Sequence, residues 1–237
     1  MEWFRAAHLL TKEGKDGQPF LHFDFATIVE QPPIVNEVEE SSETELGFYA
    51  LTGLAQQRMA FSAEPALVRY KRFHPSFELT ALSTPEHMAA HMAQHYPRML
   101  DKGRKQLECF RMTGHLSWLD WNTKHWGTKW NSYETELRKE APGELVVAFQ
   151  TAWSPPEPVF QALTARYPEL ELVGVSHDEG GWAYRWEGSQ GAFSAEHIKD
   201  QEDVELAEAD AHELTLAELR ERRRRDESEL DEAGAGS

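Results

Sequence analysis

The sequence predicts an α+β protein in which an antiparallel sheet carries helices on one face. The main observation is the order of segments after residue 131: two alternating apolar segments, one helical segment, and two further alternating segments. A second observation is that short turns separate the paired segments, as expected for hairpins. Strand pairs that flank a helix in this order indicate an antiparallel sheet covered by helices.

The first half of the chain shows weaker patterns. Residues 30–45 contain six glutamates and no basic residue, and Pro32-Pro33 disfavours a helix at the start, so this tract is predicted to be a loop. The segments ALVRYKRF and SFELTALS, near 66–82, are predicted to form another hairpin. A helix is predicted from Ser83 or Thr84 to near Arg111, with a kink at Pro97.

The second half shows the clearest strand signals. SYETELRKE and ELVVAFQTAW flank an Ala-Pro-Gly-Glu turn and predict a hairpin, and EPVFQALTARY predicts a helix. LELVGVS and GWAYRWEG then predict a second strand pair. Four apolar side chains of this region are expected in the core: Phe149, Trp153, Leu163 and Val173.

Composition predicts one folded domain over 1–195 and a tail over 196–237. The chain has 237 residues, of which 40% are hydrophobic, enough for one sizeable core with appendages. The tail contains fifteen acidic and six basic residues and too few apolar residues for a core of its own. Capping-box spacing and opposite charges four residues apart predict a solvated helix over about 216–230 in this tail.

Charge and cysteine usage restrict the classes of function. The net charge of −17 disfavours direct nucleic-acid binding and favours a basic partner. The single Cys109 excludes an intramolecular disulfide, and no segment has the length of a membrane span or the pattern of a secretory signal. We therefore expect a cytoplasmic protein that does not interact with membranes.

The segment WLDWNTKHWGTKW, residues 118–130, holds four of the eight tryptophans. One interpretation is that Trp126, Trp130 and Trp153 pack together in the core, each indole N–H satisfied by a loop carbonyl. The other is a partly open aromatic groove for a small ligand. Its polar orienting groups would be Asn122, Lys129 and Asn131.

Other chemical groups are weaker candidates. His87, His91 and His95 recur every four residues, but they extend about 12 Å along a helix and cannot converge on one tetrahedral zinc ion. Cys109 lacks a base that the sequence would place beside it. We therefore predict no catalytic residues, no metal and no cofactor.

Three motifs, WNTKHWGTKWNSYE, FQTAWSPPEPVFQALTARYPELEL and DEGGWAYRWEG, resemble the YubB-like family of bacterial plasmid and phage proteins. LHFDFATIVEQPP is similar to a further segment of that family. The resemblance implies a ferredoxin-like sheet, although the usual opening strand is not recognisable in MEWFRAAHLL. It implies no activity and no catalytic residues.

These observations lead to a hypothesis with two branches. The first is a non-enzymatic accessory protein of a mobile element that binds a basic surface of a host or mobile-element protein. Its narrower form is a nucleic-acid mimic that inhibits a host defence or DNA-processing protein. The alternative is a small-ligand-binding protein or enzyme that uses the groove around Trp126 and Trp130. The predicted binding residues are Trp126, Lys129, Trp130 and Asn131 in the groove and Glu37, Glu39, Glu40, Glu43 and Glu45 in the acidic loop.

Overall fold

The computed structural model describes residues 2–54, 65–79, 83–178 and 183–198. The chain divides into two compact units. Unit 1 takes residues 1–29 and 125–237, and unit 2 takes residues 30–124. Unit 2 is therefore inserted into the sequence of unit 1. The predicted organisation, one domain over 1–195 and a tail, does not include such an insertion.

The described helices and strands follow one another along the chain in fifteen elements. They are α1 (Glu2–His8), β1 (Leu9–Glu13), β2 (Pro19–Phe23), α2 (Pro33–Asn36), α3 (Ser42–Thr52), α4 (Ala66–Phe73), α5 (Pro85–His95), α6 (Pro97–Thr113), α7 (Trp118–His125), β3 (Tyr133–Ala141), β4 (Glu144–Gln150), α8 (Glu157–Arg166), β5 (Leu172–His177), β6 (Ala183–Ser189) and β7 (Ala192–Ile198). A short 3-10 helix, Phe25–Thr27, follows β2.

Unit 1 contains the predicted order of strand, strand, helix, strand and strand. β3 pairs with β4 around the Ala-Pro-Gly-Glu turn, and β5 pairs with β6, both antiparallel. α8 packs on the second pair, with Phe160 stacked on Trp186 at 4.1 Å between ring centroids. Gly174 on β5 makes room for this indole, since a Cβ there would lie 2.1 Å from Trp186 Cη2. These elements confirm the predicted α+β class.

Two features of unit 1 differ from the expectation. The described strands form three separate antiparallel sheets, β1-β2, β3-β4 and β5-β6-β7, instead of one. β7 was not predicted, because AFSAEHI lacks an apolar alternation and only Ile198 is buried. The predicted start of the tail at residue 196 falls inside β7, and the predicted helix over 216–230 lies outside the described residues.

Of the four expected core residues of unit 1, two are covered and two are exposed. Leu163 is buried, and the half-buried Phe149 contacts the rings of Phe23, Phe25 and Phe160. Trp153 and Val173 are 64% and 77% exposed, so their prediction as core residues was wrong. Trp153 follows the end of β4, and Val173 lies on the outer face of β5, where alternation alone does not indicate which face is covered.

Unit 2 is helical in its described part, with a core of its own. α3 and α6 cross where Gly47 meets Gly103, so closely that a Cβ on Gly103 would lie 2.2 Å from the carbonyl carbon of Gly47. The buried residues of this core are Leu46, Ala50, Tyr70, Phe77, Met88, Met92, Met99 and Leu100. The glycine contact therefore fixes how closely the two helices approach.

Three predictions for unit 2 need correction. Residues 66–73 form α4 instead of a strand, because the exposed positions 65, 68 and 72 recur at helical spacing. The acidic tract is only partly a loop: Pro33 begins α2 at its first position, and Ser41 caps α3 by accepting a hydrogen bond from Thr44 N. The predicted kink at Pro97 is a complete break between α5 and α6.

Candidate functional site

Trp126 is a core residue and not part of an open groove. Its side chain is buried in unit 1, and its indole N–H donates to Val29 O at 3.0 Å. The ring also contacts Phe25 edge-on, with centroids 6.0 Å apart. This tryptophan has the structural role that the first interpretation gave to all three.

Trp130 and Trp153 are exposed, and we call them the indole pair. Their side chains are 49% and 64% exposed. Lys129 Nζ lies 4.7 Å from the Trp130 ring centroid and 4.8 Å from that of Trp153. Both distances fall within the roughly 6 Å range of cation–π attraction. The two indoles and the ammonium group between them form one continuous surface.

Hydrogen bonds hold the two loops that carry the indole pair. Lys129 N donates to Ala152 O at 3.2 Å, and the buried Thr128 hydroxyl donates to the same oxygen at 2.7 Å. In return, Ala152 N donates to Thr128 Oγ1 at 3.1 Å. The Ser154 hydroxyl donates to Gly127 O. The backbone beneath both indoles is therefore fixed independently of their side chains.

Two residues of these loops have backbone in the left-handed region. Gly127 has φ +79°, and a Cβ there would lie 2.6 Å from Pro158 Cδ, so only glycine fits. Trp153 has φ +80°, which ordinarily costs a non-glycine residue about 1–3 kcal/mol. An exposed tryptophan held in a strained conformation suggests a functional role for its side chain.

An open cavity of about 440 Å³ lies beside Trp153. Its walls include Pro155, Glu157 and Pro158 at the start of α8 and Tyr184 on β6. The cavity thus combines aromatic and proline surfaces with one carboxylate. This composition can accept an apolar or cationic side chain.

Asn131, a predicted binding residue, has a structural role. Its side-chain oxygen accepts hydrogen bonds from Phe25 N at 3.0 Å and Ser132 N at 2.9 Å, and its amide donates to Asp24 Oδ1 at 2.7 Å. Burial alone would raise the pKa of Asp24, but hydrogen bonds from Asn131 and Lys12 hold it below its ordinary value. The amide therefore fixes a buried carboxylate and joins two loops of unit 1.

Ser132, His22 and Asp24 are arranged like a nucleophile, base and acid, a grouping that sequence separation hid. Ser132 Oγ lies 3.5 Å from His22 Nδ1, and His22 Nε2 lies 3.9 Å from Asp24 Oδ1. However, Ser132 Oγ donates to Phe23 O at 2.7 Å, and all three side chains are buried. With its hydroxyl bonded to a backbone carbonyl and its neighbours buried, Ser132 belongs to a structural hydrogen-bond cluster of unit 1.

The five glutamates predicted to bind a partner have partners within unit 2. Lys102 contacts Glu39 at 2.9 Å and Glu43 at 2.6 Å, and these hydrogen bonds raise the pKa of Lys102. Three further contacts are Lys105 to Glu37 at 2.8 Å, Arg69 to Glu45 at 3.1 Å, and the Ser117 hydroxyl to Glu40. Unit 2 has twelve acidic and ten basic residues, so the unit as a whole is almost neutral.

The remaining candidate groups belong to unit 2, whereas the indole pair belongs to unit 1. His87, His91 and His95 are on α5, where His91 Nδ1 lies 3.0 Å from the Tyr70 hydroxyl. Within the described ranges, no three histidine, cysteine or carboxylate side chains are placed to hold a metal ion. Cys109 is buried, and its thiol donates to His115 O at 3.2 Å. Asn122 is buried in unit 2 and accepts a hydrogen bond from Gln31.

Residues 125–216 match a known family of ferredoxin-like domains. This family is described as the ferredoxin-like domain in Api92-like protein. The match confirms the predicted ferredoxin-like domain, and it covers less than half of the chain, all within unit 1. It includes the loops of the indole pair, α8 and the strands β3 to β7.

Searches of curated proteins and of solved structures found no match for the chain. No helix in the described part is both long and apolar enough to cross a bilayer.

Proposed function

We propose that the chain is a non-enzymatic binding protein that recognises a basic surface of a protein partner through the indole pair. The observation that carries this proposal is the exposure of two tryptophans on rigidly hydrogen-bonded loops. Tryptophan and arginine are enriched among the few residues that dominate binding energy at protein interfaces. A rigid backbone also lowers the entropy lost on binding.

The distribution of charge supports a basic partner. Outside the tail, unit 1 has fourteen acidic and eight basic residues, and the tail adds fifteen acidic and six basic ones. Most of the net charge of −17 therefore belongs to the same unit as the indole pair. Such a charge attracts basic proteins over about one Debye length, roughly 8–10 Å in physiological salt, and increases the rate of encounter.

The chemistry of the surface favours arginine as the contacting residue. A guanidinium group is planar, stacks on aromatic faces and is less strongly hydrated than an ammonium group. Glu157, in the wall of the cavity beside Trp153, offers a carboxylate to the same group. We therefore expect arginine side chains of the partner to lie on the indoles.

The acidic loop does not supply the main contacts in this proposal. Glu37, Glu39 and Glu43 are already paired with lysines of α6, so a partner would have to replace those ion pairs. The narrower hypothesis of a mobile-element protein that mimics nucleic acid is supported by net charge and by the YubB-like resemblance. It predicts binding that depends on charge alone.

The alternative of a small-ligand protein is supported by the cavity beside Trp153. Its volume of about 440 Å³ is within the usual range for small-molecule sites. Trp126 would contribute nothing to such a site, because it is buried in the core.

Binding of synthetic peptides tests the proposal. Arginine-rich and lysine-rich peptides of equal length and charge are titrated against the full chain by calorimetry, at low and high salt. Trp130→Ala and Trp153→Ala should each weaken binding of the arginine peptide about tenfold or more, as expected for central interface residues. Trp3→Ala is the matched control, because Trp3 is 45% exposed in the same unit but lies against Tyr167.

Two outcomes would contradict the proposal. One is that neither peptide binds. The other is that both indole variants bind as tightly as the unmodified chain. If, in the second case, affinity also falls steeply with salt, recognition depends on charge, and the nucleic-acid mimic becomes the better hypothesis.

A further inference from the structure

We propose that Lys129 is an intramolecular occupant of a cation site formed by Trp130 and Trp153. A guanidinium or quaternary ammonium group would enter this site by displacing the lysine. This inference rests on the proposed function in one respect, because both use the surface of the indole pair. It adds the chemical class of the group that binds there.

The position of Lys129 identifies the site. Its ammonium group lies 4.7 Å and 4.8 Å from the two ring centroids, so one cation interacts with both indoles. Aromatic groups that surround a cation in this way recognise quaternary ammonium ligands. The structure therefore shows the indole pair with a cation already in place.

The site does not depend on the Lys129 side chain. The Lys129 backbone is fixed by its N–H bond to Ala152 O, and the loop of Trp153 is fixed through Thr128 and Ser154. A lysine side chain has four methylene groups and rotates freely around them. The ammonium group can therefore swing away while both indoles keep their backbone positions.

The strained backbone of Trp153 is the second observation. At φ +80°, glycine or asparagine would be more stable, and an exposed indole gains little from burial. The conformation positions this indole close enough to Lys129 for a cation–π contact. A surface used for binding explains why a large aromatic residue occupies this position.

Competition between two cations gives a measurable effect. Removing the lysine ends its competition for the two indole faces, so the affinity for an external cation should increase about 2-fold to 10-fold. The affinity should increase most for weakly hydrated cations, because they lose less hydration on entering the site.

Titration with tetramethylammonium chloride tests this inference on the full chain. Binding is followed through the indole N–H resonances of Trp130 and Trp153, with sodium chloride at equal ionic strength as the reference. Lys129→Met keeps most of the apolar stem and removes the charge, so it should bind tetramethylammonium about 2-fold to 10-fold more tightly. Lys129→Arg, the matched control, retains a cation and should bind as weakly as the unmodified chain.

The dependence on the indoles is tested in the Lys129→Met background. Adding Trp153→Ala should abolish the gain, and adding Trp3→Ala should leave it unchanged. The inference is overturned if Lys129→Met, with an unchanged melting temperature, binds tetramethylammonium no more tightly than the unmodified chain. It is also overturned if the gain survives Trp153→Ala.

The two proposals can fail separately. If arginine peptides bind through the indoles while Lys129→Met gains nothing, only the occupant inference fails. If Lys129→Met gains affinity for tetramethylammonium while no peptide binds, the cation site stands and the protein-binding proposal fails.

Discussion

Trp126 and Trp153 show how differently one residue type is used at two positions of the same unit. Trp126 is buried with its N–H satisfied by Val29 O. Trp153 is exposed, strained, and in contact with a lysine ammonium group. Burial of Trp126 stabilises the fold. The left-handed backbone of Trp153 costs stability and sets the position of an exposed side chain.

Substitution at these two positions should therefore have unequal effects. Trp126→Ala should lower the free energy of unfolding by about 3–5 kcal/mol, as for other buried aromatic residues. Trp153→Gly should change it by less than about 1 kcal/mol, because relief of about 1–3 kcal/mol of strain offsets a lost cation–π contact and the added chain entropy of glycine. Urea denaturation measures both. Equal losses would show that Trp153 is a core residue after all.

The residues of the candidate site were predictable by type but not by role. Trp130 and Lys129 were predicted binding residues, and the structure places the exposed Trp130 ring against the Lys129 ammonium group. Asn131 follows Trp130 in the same segment and was also a predicted binding residue. Its side-chain amide instead bonds Asp24 and two backbone N–H groups. Hydrogen-bond partners that are distant in sequence decide between these roles, and no local pattern records them.

Among the elements, strand pairs with short turns were the easiest to predict. β3-β4 and β5-β6 alternate locally, and their turns carry the expected residues. α4 was mistaken for a strand because the apolar residues of ALVRYKRF fit both the strand period and the helix period. The helix buries Tyr70 in the core of unit 2. β7 was missed because its side chains are mostly exposed.

The crossing of α3 and α6 gives a prediction at the level of elements. Replacing a mid-helix glycine by alanine ordinarily stabilises a helix by about 1 kcal/mol. Gly103→Ala should do the opposite and lower the free energy of unfolding by about 2 kcal/mol or more, because its Cβ would meet the backbone of Gly47 and Phe48 at 2.2–2.5 Å.

Thermal and urea unfolding measure the change. Arg104→Ala on the same helix is the control, and it should stay within about 0.5 kcal/mol because this side chain is exposed. A stabilised Gly103→Ala variant would mean that the helices can move apart without loss.

At the level of the whole chain, the inserted unit 2 was not predictable. Neither composition nor a linker marks its ends at residues 30 and 124, and the acidic tract that begins it suggested a loop instead. Salt bridges from α6 to Glu37, Glu39 and Glu43 connect this tract to residues about 60 positions later. Such distant pairing is invisible in a charge count.

Four histidines distributed over both units predict how stability depends on pH. Burial is the main cause that lowers the pKa of His8, His22, His74 and His91 below the ordinary value of 6.5. The unfolded chain therefore binds protons more readily than the folded chain between the folded-state pKa values and 6.5. The stability from neutral histidines is complete above 6.5 and should be lost as the pH falls below it.

Melting temperatures between about pH 7.5 and about pH 5.5 test this dependence. His74→Phe should make the decrease shallower, because it keeps a ring against Tyr70 and Tyr96 and removes one titrating group. A melting temperature that is constant or rises as the pH falls through this range would contradict the prediction.

The hydrogen bond from Trp126 to Val29 closes a loop of 96 intervening residues, and this has a consequence for synthesis of the chain. At about 5–20 residues per second, the ribosome needs roughly 5–20 s to translate unit 2 after Val29 has been added. During that interval Phe23 and Phe25 lack Phe149 and Trp126, the aromatic residues that cover them in the finished protein. The apolar side chains of the nascent β1-β2 segment are therefore accessible to chaperones during this interval, whereas unit 2 has its complete set of core residues by the end of it.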